Sequence, residues 1–391
     1  MRIKQLILIA AVAIMAASCA HSFEAEQTQK APIGFGTWAE MLTKTEHRTA
    51  GSNTFLSGDT FNVYGYNTIE STNHNIFNGE VVTAKDANEQ EAGEAVAKWV
   101  YSPLRFWDPT ASSYTFFAAS PSGILYSSPV DQNNGGAYSG LFVSSSRTFT
   151  GQDNDVLVAT KKVVGASQNG PKYSSNPILL EFNHVASLVD VKVKKDAALP
   201  DEATLRITSA SLMGIENQGA FTVTSYDNNN KPVVTWSSSN TNTYASTVTP
   251  LDVTINTTYN NEGAANGTSD GQNAVTVPDG VQALFSNYVL KPQDLSSGSQ
   301  ILHLEYKIVT REDDQQTNEN EEVSTSYVAE IALKDFVQTD NKNNTGNAAT
   351  SSWAQGTHYI YTVTIGANAI TFTAQINNWT TTVNGYHYIL Q

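Results

Sequence analysis

Apolar and polar residues alternate with a period of two in short run after short run along this chain. That spacing constrains the fold more than any other feature, because it places one face of each run against a core and the other against solvent. Residues 301–309 are the clearest case, with Leu302, Leu304, Tyr306 and Ile308 on one face. Residues 60–66, 156–159, 178–182, 188–193, 203–207, 221–225, 327–333, 359–365, 370–376 and 386–390 are further β-branched or aromatic runs of strand length. Turn chemistry separates them, as in Asn133-Asn134-Gly135-Gly136, Asp227-Asn228-Asn229-Asn230 and the Asn- and Gly-rich residues 341–346. Residues 86–99 are the one helix-like stretch, and Gly93 in its middle argues against it. Many short strands at this spacing point to an all-β chain built of β-sandwiches.

Size and composition narrow the function classes. At about 150 residues per domain, 391 residues make two domains. Residues 161–176 are mostly polar and carry Gly165, Gly170 and Pro171, which places the junction near residue 176. Residues 237–246 and 256–271 read as long surface loops within the second domain. Lys plus Arg number 22 against 37 Asp plus Glu, a formal charge of −15 that gives no counterion-release term for nucleic acid. One cysteine excludes a disulfide scaffold and a thiolate metal site.

That cysteine sits in a telling place. Arg2 and Lys4 precede an unbroken apolar run over residues 6–17, followed by Ser18 and Cys19. A basic start, a short apolar stretch and small residues make a secretory signal. A cysteine directly after Ala16-Ala17-Ser18 is the ending of bacterial lipoprotein signals, so residues 1–18 are expected to be removed and Cys19 lipidated as a membrane anchor.

Catalytic chemistry finds no constellation to rest on. The histidines His21, His47, His74, His184, His303, His358 and His387 are scattered without metal-ligand spacing, and each is expected to be a satisfied or surface residue. The carboxylates at Asp313, Asp314 and residues 319–322 read as a solvated loop, and Asp153-Asn154-Asp155 and residues 227–230 as turns. Trp99, Tyr101, Phe106, Trp107, Tyr114, Phe116 and Phe117 crowd one segment. Their alternation favours core positions over a sugar-stacking surface. No enzyme, cofactor or metal is expected.

Taken in order, the motifs resemble the fimbrillin family of lipoprotein pilins, the Mfa-like subunits of type V pili. The resemblance is carried by Ile33-Gly34-Phe35, Arg48-Thr49-Ala50, Phe61-Asn62-Val63-Tyr64-Gly65-Tyr66 and Trp99-Val100-Tyr101-Ser102-Pro103-Leu104-Arg105-Phe106-Trp107. Leu180-Glu181-Phe182-Asn183-His184, Val289-Leu290-Lys291-Pro292-Gln293, Trp353-x-x-Gly356-x-x-Tyr359 and Ile370-x-Phe372-x-x-x-Ile376-x-x-Trp379 continue it.

What the resemblance implies is two transthyretin-like β-sandwich domains, over residues 49–176 and 177–391, after a propeptide with a first strand at 19–48. It further implies a structural and adhesive pilus subunit held at the outer membrane by its lipid and passed into a fimbrium after processing. Its partners would be other pilus subunits, a trypsin-like processing protease and host or bacterial surface ligands, with no nucleic acid. The processing position matches Arg48, with Lys44 a competitor, and the strand lost is that of residues 31–40. Ile33 and Phe35 alternate as a groove-filling strand requires, and so do Tyr386, Tyr388 and Leu390. Those three make a second donor-strand candidate, unless that strand completes its own domain. The other reading is a surface glycan-binding lipoprotein of a nutrient-uptake system, for which Trp107 would have to be exposed.

Overall fold

A computed structural model describes residues 32–39, 55–88, 96, 98–124, 130–131, 135–151, 155–164, 177–200, 203–237, 240–249, 251–253, 281–313, 320–338, 351–367, 370–378 and 383–384. Among these, strands account for nearly all regular structure, and the helical exception is a single 3-10 turn at Leu333–Asp335.

The first half of the chain forms a six-stranded sheet. Its order is Phe182–His184, Leu157–Val164, Ser113–Ser120, Thr60–Ile69, Thr72–Lys85 and Lys98–Val100, antiparallel throughout. The central strands Thr60–Ile69 and Ser113–Ser120 are buried on both faces over most of their length. That double burial follows from aromatic and apolar side chains on both faces, Phe61, Val63, Phe116 and Ala118 on one and Tyr64, Phe117 and Ala119 on the other. One face packs Phe61, Phe77, Trp107, Phe116 and Phe182 with Ile33 and Phe35. The opposite face packs Tyr64, Phe117 and Phe142 against Phe221 and Val223 of the hairpin Phe221–Tyr226/Pro232–Trp236.

From Ser187 onward, two further sheets face each other across a shared core. One has the order Val281–Leu290, Ser187–Lys195, Thr357–Ile365, Ile370–Asn378 and Val337–Gln338. The other runs Thr241–Ala245, Thr204–Glu216, Ile301–Asp313 and Asn320–Ala332, with Leu251–Val253 also on Thr204–Glu216. Tyr359, Tyr361, Val363 and Ile365 project inward at alternate positions to meet Leu205, Ile207, Leu212, Leu302 and Leu304. The Trp353 indole N–H donates to the Tyr361 hydroxyl at 2.7 Å, so this buried polar pair satisfies itself.

Three sequence expectations change here. Asp313 and residues 320–322, read as loop, lie in the paired strands Ile301–Asp313 and Asn320–Ala332, where Asp313 stands opposite Asn320 and Arg311 opposite Glu322. Within residues 237–246, read as loop, Thr241–Ala245 is an edge strand on Thr204–Glu216. Its outward Thr and Asn residues hide the alternation, while Tyr244 is the buried anchor and donates its hydroxyl to the Phe149 carbonyl at 2.9 Å. The helix-like stretch also ends in a strand, Lys98–Val100, which pairs with Thr83, Ala84 and Lys85.

Candidate functional site

The segment Pro32-Ile33-Gly34-Phe35-Gly36 leads into the short strand Phe35–Ala39 and lies over the first sheet. Alternation sends Ile33 and Phe35 inward, and they are 1% and 5% exposed. Phe35 sits among four aromatic rings, with centroid distances of 6.0 Å to Phe61, 5.3 Å to Phe77, 5.7 Å to Tyr101 and 5.8 Å to Phe116. All four are edge-on contacts, the geometry that aromatic quadrupoles favour. Burying a side chain of this size contributes about 1.5–3 kcal/mol from apolar area alone.

The backbone of this segment is bonded along both edges. On one side it runs parallel to Ile178–Leu180, with Phe35 opposite Ile178, Gly36 opposite Leu179 and Thr37 opposite Leu180. There the Ile178 N–H donates to the Gly34 carbonyl at 2.8 Å. On the other side the Ile33 N–H donates to the Arg105 carbonyl at 2.8 Å, and Pro32 bridges Phe106. Further along that edge, Trp38 and Ala39 pair with Asn384 and Val383. The Tyr101 hydroxyl donates to the Ile33 carbonyl at 2.6 Å and accepts the Arg105 N–H at 3.2 Å. Burial pushes the Tyr101 phenol above its ordinary pKa, so it remains a donor across the physiological range. Gly36 is held close to its neighbour, since a Cβ there would lie 3.1 Å from a Leu179 methyl carbon. The segment is therefore a plug, with two side chains in the core and its main chain clamped on both edges.

The sequence pattern of the fimbrillin-like family matches residues 47–379. The chain belongs to the fimbrillin-like family. This is a family of fimbrial proteins and not of enzymes. The match begins past the plug, which lies ahead of it in the chain. None of the curated protein sequences matches at a significant level.

Solved structures similar to this chain include fimbrial proteins. A fimbrial protein from Bacteroides vulgatus is 17% identical, with a TM-score of 0.50 over 89% of this chain and 99% of that one. The fimbrilin of Porphyromonas gingivalis is 11% identical, with a TM-score of 0.39 over 91% of this chain and 99% of that one. The family match and the two sheets facing each other across a shared core make the expected β-sandwich the fold of this chain.

Of the residues singled out in the sequence, Ile33 and Phe35 come together in the plug. Cys19, Lys44, Arg48, Tyr386, Tyr388 and Leu390 lie outside the described residues. In the aromatic segment, Tyr114, Phe116 and Phe117 are buried, Trp99 and Tyr101 are half-buried, and Trp107 is 2% exposed. Trp107 therefore offers no face for stacking on a sugar. Phe106 departs from the core expectation, at 49% exposed.

His184 is buried against the Asp155 carboxylate, His358 lies 3.0 Å from Asp190, and His303 lies 3.4 Å from each of Glu305 and Glu330. His74 is exposed. His21, His47 and His387 lie outside the described residues. The Asp227 carboxylate accepts the N–H groups of Asn229 and Lys231 at 2.8 and 2.9 Å, which makes residues 227–230 a turn. Sequence reasoning missed the clamp itself. Tyr101 and Arg105 reach Ile33 from 68 and 72 positions away, and no local pattern encodes so distant a contact.

Proposed function

We propose that this protein is a structural and adhesive subunit of a surface fimbrium. It is exported through residues 1–18, anchored through lipidated Cys19, and cut after Arg48. It then polymerises by exchanging its plug for a strand of a neighbouring subunit. The observation that carries this reading is the plug: a separate N-terminal segment with Ile33 and Phe35 in the core and backbone bonds on both edges. Removing it would leave an apolar slot and unpaired main-chain groups at Arg105 and Ile178. A β-strand satisfies both at once. Membership of the fimbrillin-like family supports the fimbrial location and assembly with other subunits. The burial of Trp107 withdraws the surface on which a glycan-uptake role was to rest.

The test is to treat the full chain, as a lipoprotein and as a Cys19→Ala variant, with a trypsin-like protease. Cleavage after Arg48 followed by a ladder of polymers is expected, with the Cys19→Ala chain losing its acyl label and its membrane attachment. A processed chain that stays monomeric sinks strand exchange, and an unlabelled wild-type chain sinks the anchor.

A further inference from the structure

The exposed Phe106 stands beside a cleft of about 270 Å³ lined by Asn75, Ile76, Phe77, Asn78, Glu80, Arg105 and Phe106. Its polar side chains are each tethered at one end. The Asn75 amide N–H donates to the Gly136 carbonyl at 3.1 Å, which leaves the Asn75 carbonyl oxygen as an acceptor. The Tyr138 hydroxyl donates to the Asn78 Oδ1 at 2.6 Å, which leaves the Asn78 NH2 as a donor. One Arg105 Nη donates to Glu80 Oε1 at 2.9 Å, while the second Glu80 oxygen accepts the Asn78 N–H. The Arg105 Nε is buried and has no hydrogen-bond partner among the described residues.

We propose that this cleft binds a neutral saccharide. Fixed donors and acceptors at separate points match a ring of hydroxyls, each of which both gives and takes a hydrogen bond. The half-exposed Phe106 ring supplies the apolar face against which the C–H side of a sugar packs. Because the amides and the guanidinium are already held in place, little side-chain freedom is lost when a ligand arrives. Charge selects the neutral class. Arg105 and Glu80 cancel each other, and a chain with a formal charge of −15 repels acidic ligands. A purely apolar ligand would instead give no partner to the Asn75 carbonyl oxygen or the Asn78 NH2.

The proposal stands apart from strand exchange and is tested on the intact full chain, plug in place. The probes are an array of neutral hexose, fucose and N-acetylhexosamine oligosaccharides, together with sialylated and uronate-bearing glycans. Hits are then titrated by saturation-transfer NMR. At least one neutral saccharide is expected to bind saturably. Phe106→Ala and Asn78→Ala should each weaken it at least tenfold while the thermal melting curve stays in place. Val337→Ala, an exposed apolar site on a different sheet, should leave binding unchanged. The proposal is overturned if no neutral saccharide binds, if both variants bind as the wild type does, or if only acidic glycans are retained.

Discussion

Tyr101 shows how much can hang on one hydroxyl. It gives its proton to the Ile33 carbonyl and takes the Arg105 N–H, so it ties the plug's main chain to the segment beside it. Tyr101→Phe keeps the ring contact with Phe35 and removes only that tie. The expected loss is about 1 kcal/mol in urea unfolding, together with faster amide exchange at Ile33. Unchanged exchange at Ile33 would mean that the tie contributes nothing.

Asp190 makes a second single-residue case. Burial acts to raise its pKa, but hydrogen bonds from His358 and the Asn287 N–H, together with the nearby charges of His358 and Lys192, outweigh burial and hold the carboxyl below its ordinary value. A depressed carboxyl stabilises the fold above its unfolded pKa of about 3.9, and the contribution is lost as pH falls through the lower folded value. Asp190→Asn should therefore cost about 1–3 kcal/mol near pH 7, and the deficit should shrink steadily below about pH 4. A deficit that does not vary with pH would show that the charge is irrelevant. The inward pointing of Ile33 and Phe35 was legible from alternation alone. The partners Tyr101 and Asp190 were not, because each acts across strands far apart in sequence.

At the scale of the element, the strand Thr204–Glu216 shows why a period of two is only locally readable. Leu205 and Ile207 point inward, then a register shift between Ile207 and Ser209 moves the inward set to Ala210 and Leu212. A second shift between Leu212 and Ile215 returns it to Ile215. Each bulge carries an apolar residue back to the core that strict alternation would have turned to solvent. Gly214 sits at the second shift with φ +70, where an added Cβ would lie 2.2 Å from the Ser299 carbonyl oxygen. Gly214→Ala should lower the melting temperature, with a cost above about 1 kcal/mol, and a neutral result would contradict this account of the bulge. The sequence run at 203–207 was visible for the same reason that the remainder of the strand was not: the bulges break the pattern at Thr208 and Gly214. The edge strand Thr241–Ala245 escaped notice because a solvent-lapped edge has no need of an apolar outer face.

For the whole molecule, the all-β architecture followed from the runs and turns, and membership of the fimbrillin-like family from their order. The division of the chain is less direct. Ile178–Leu180 and Phe182–His184 pair with the plug and with Leu157–Val164, and pairing passes to the second half only from Ser187. The boundary expected near residue 176 stays a proposal, and these pairings lead us to propose that Ile178–Leu180 and Phe182–His184 go with the first half.

Assembly is a property of this scale too. Arg48→Ala should leave the chain folded, uncut at that position and monomeric under conditions in which the wild type forms a ladder. Ladder formation by that variant would move the processing position to Lys44 or elsewhere.

The central claim is that the plug's slot is emptied and then refilled by a strand. Hydrogen–deuterium exchange at the Ile178 amide, which donates to the Gly34 carbonyl in the intact chain, reads that slot directly. Protection is expected in the uncut chain, loss of protection in the freshly processed monomer, and its return in the polymer. Protection that persists through processing, or a polymer in which the Ile178 amide exchanges freely, would contradict it.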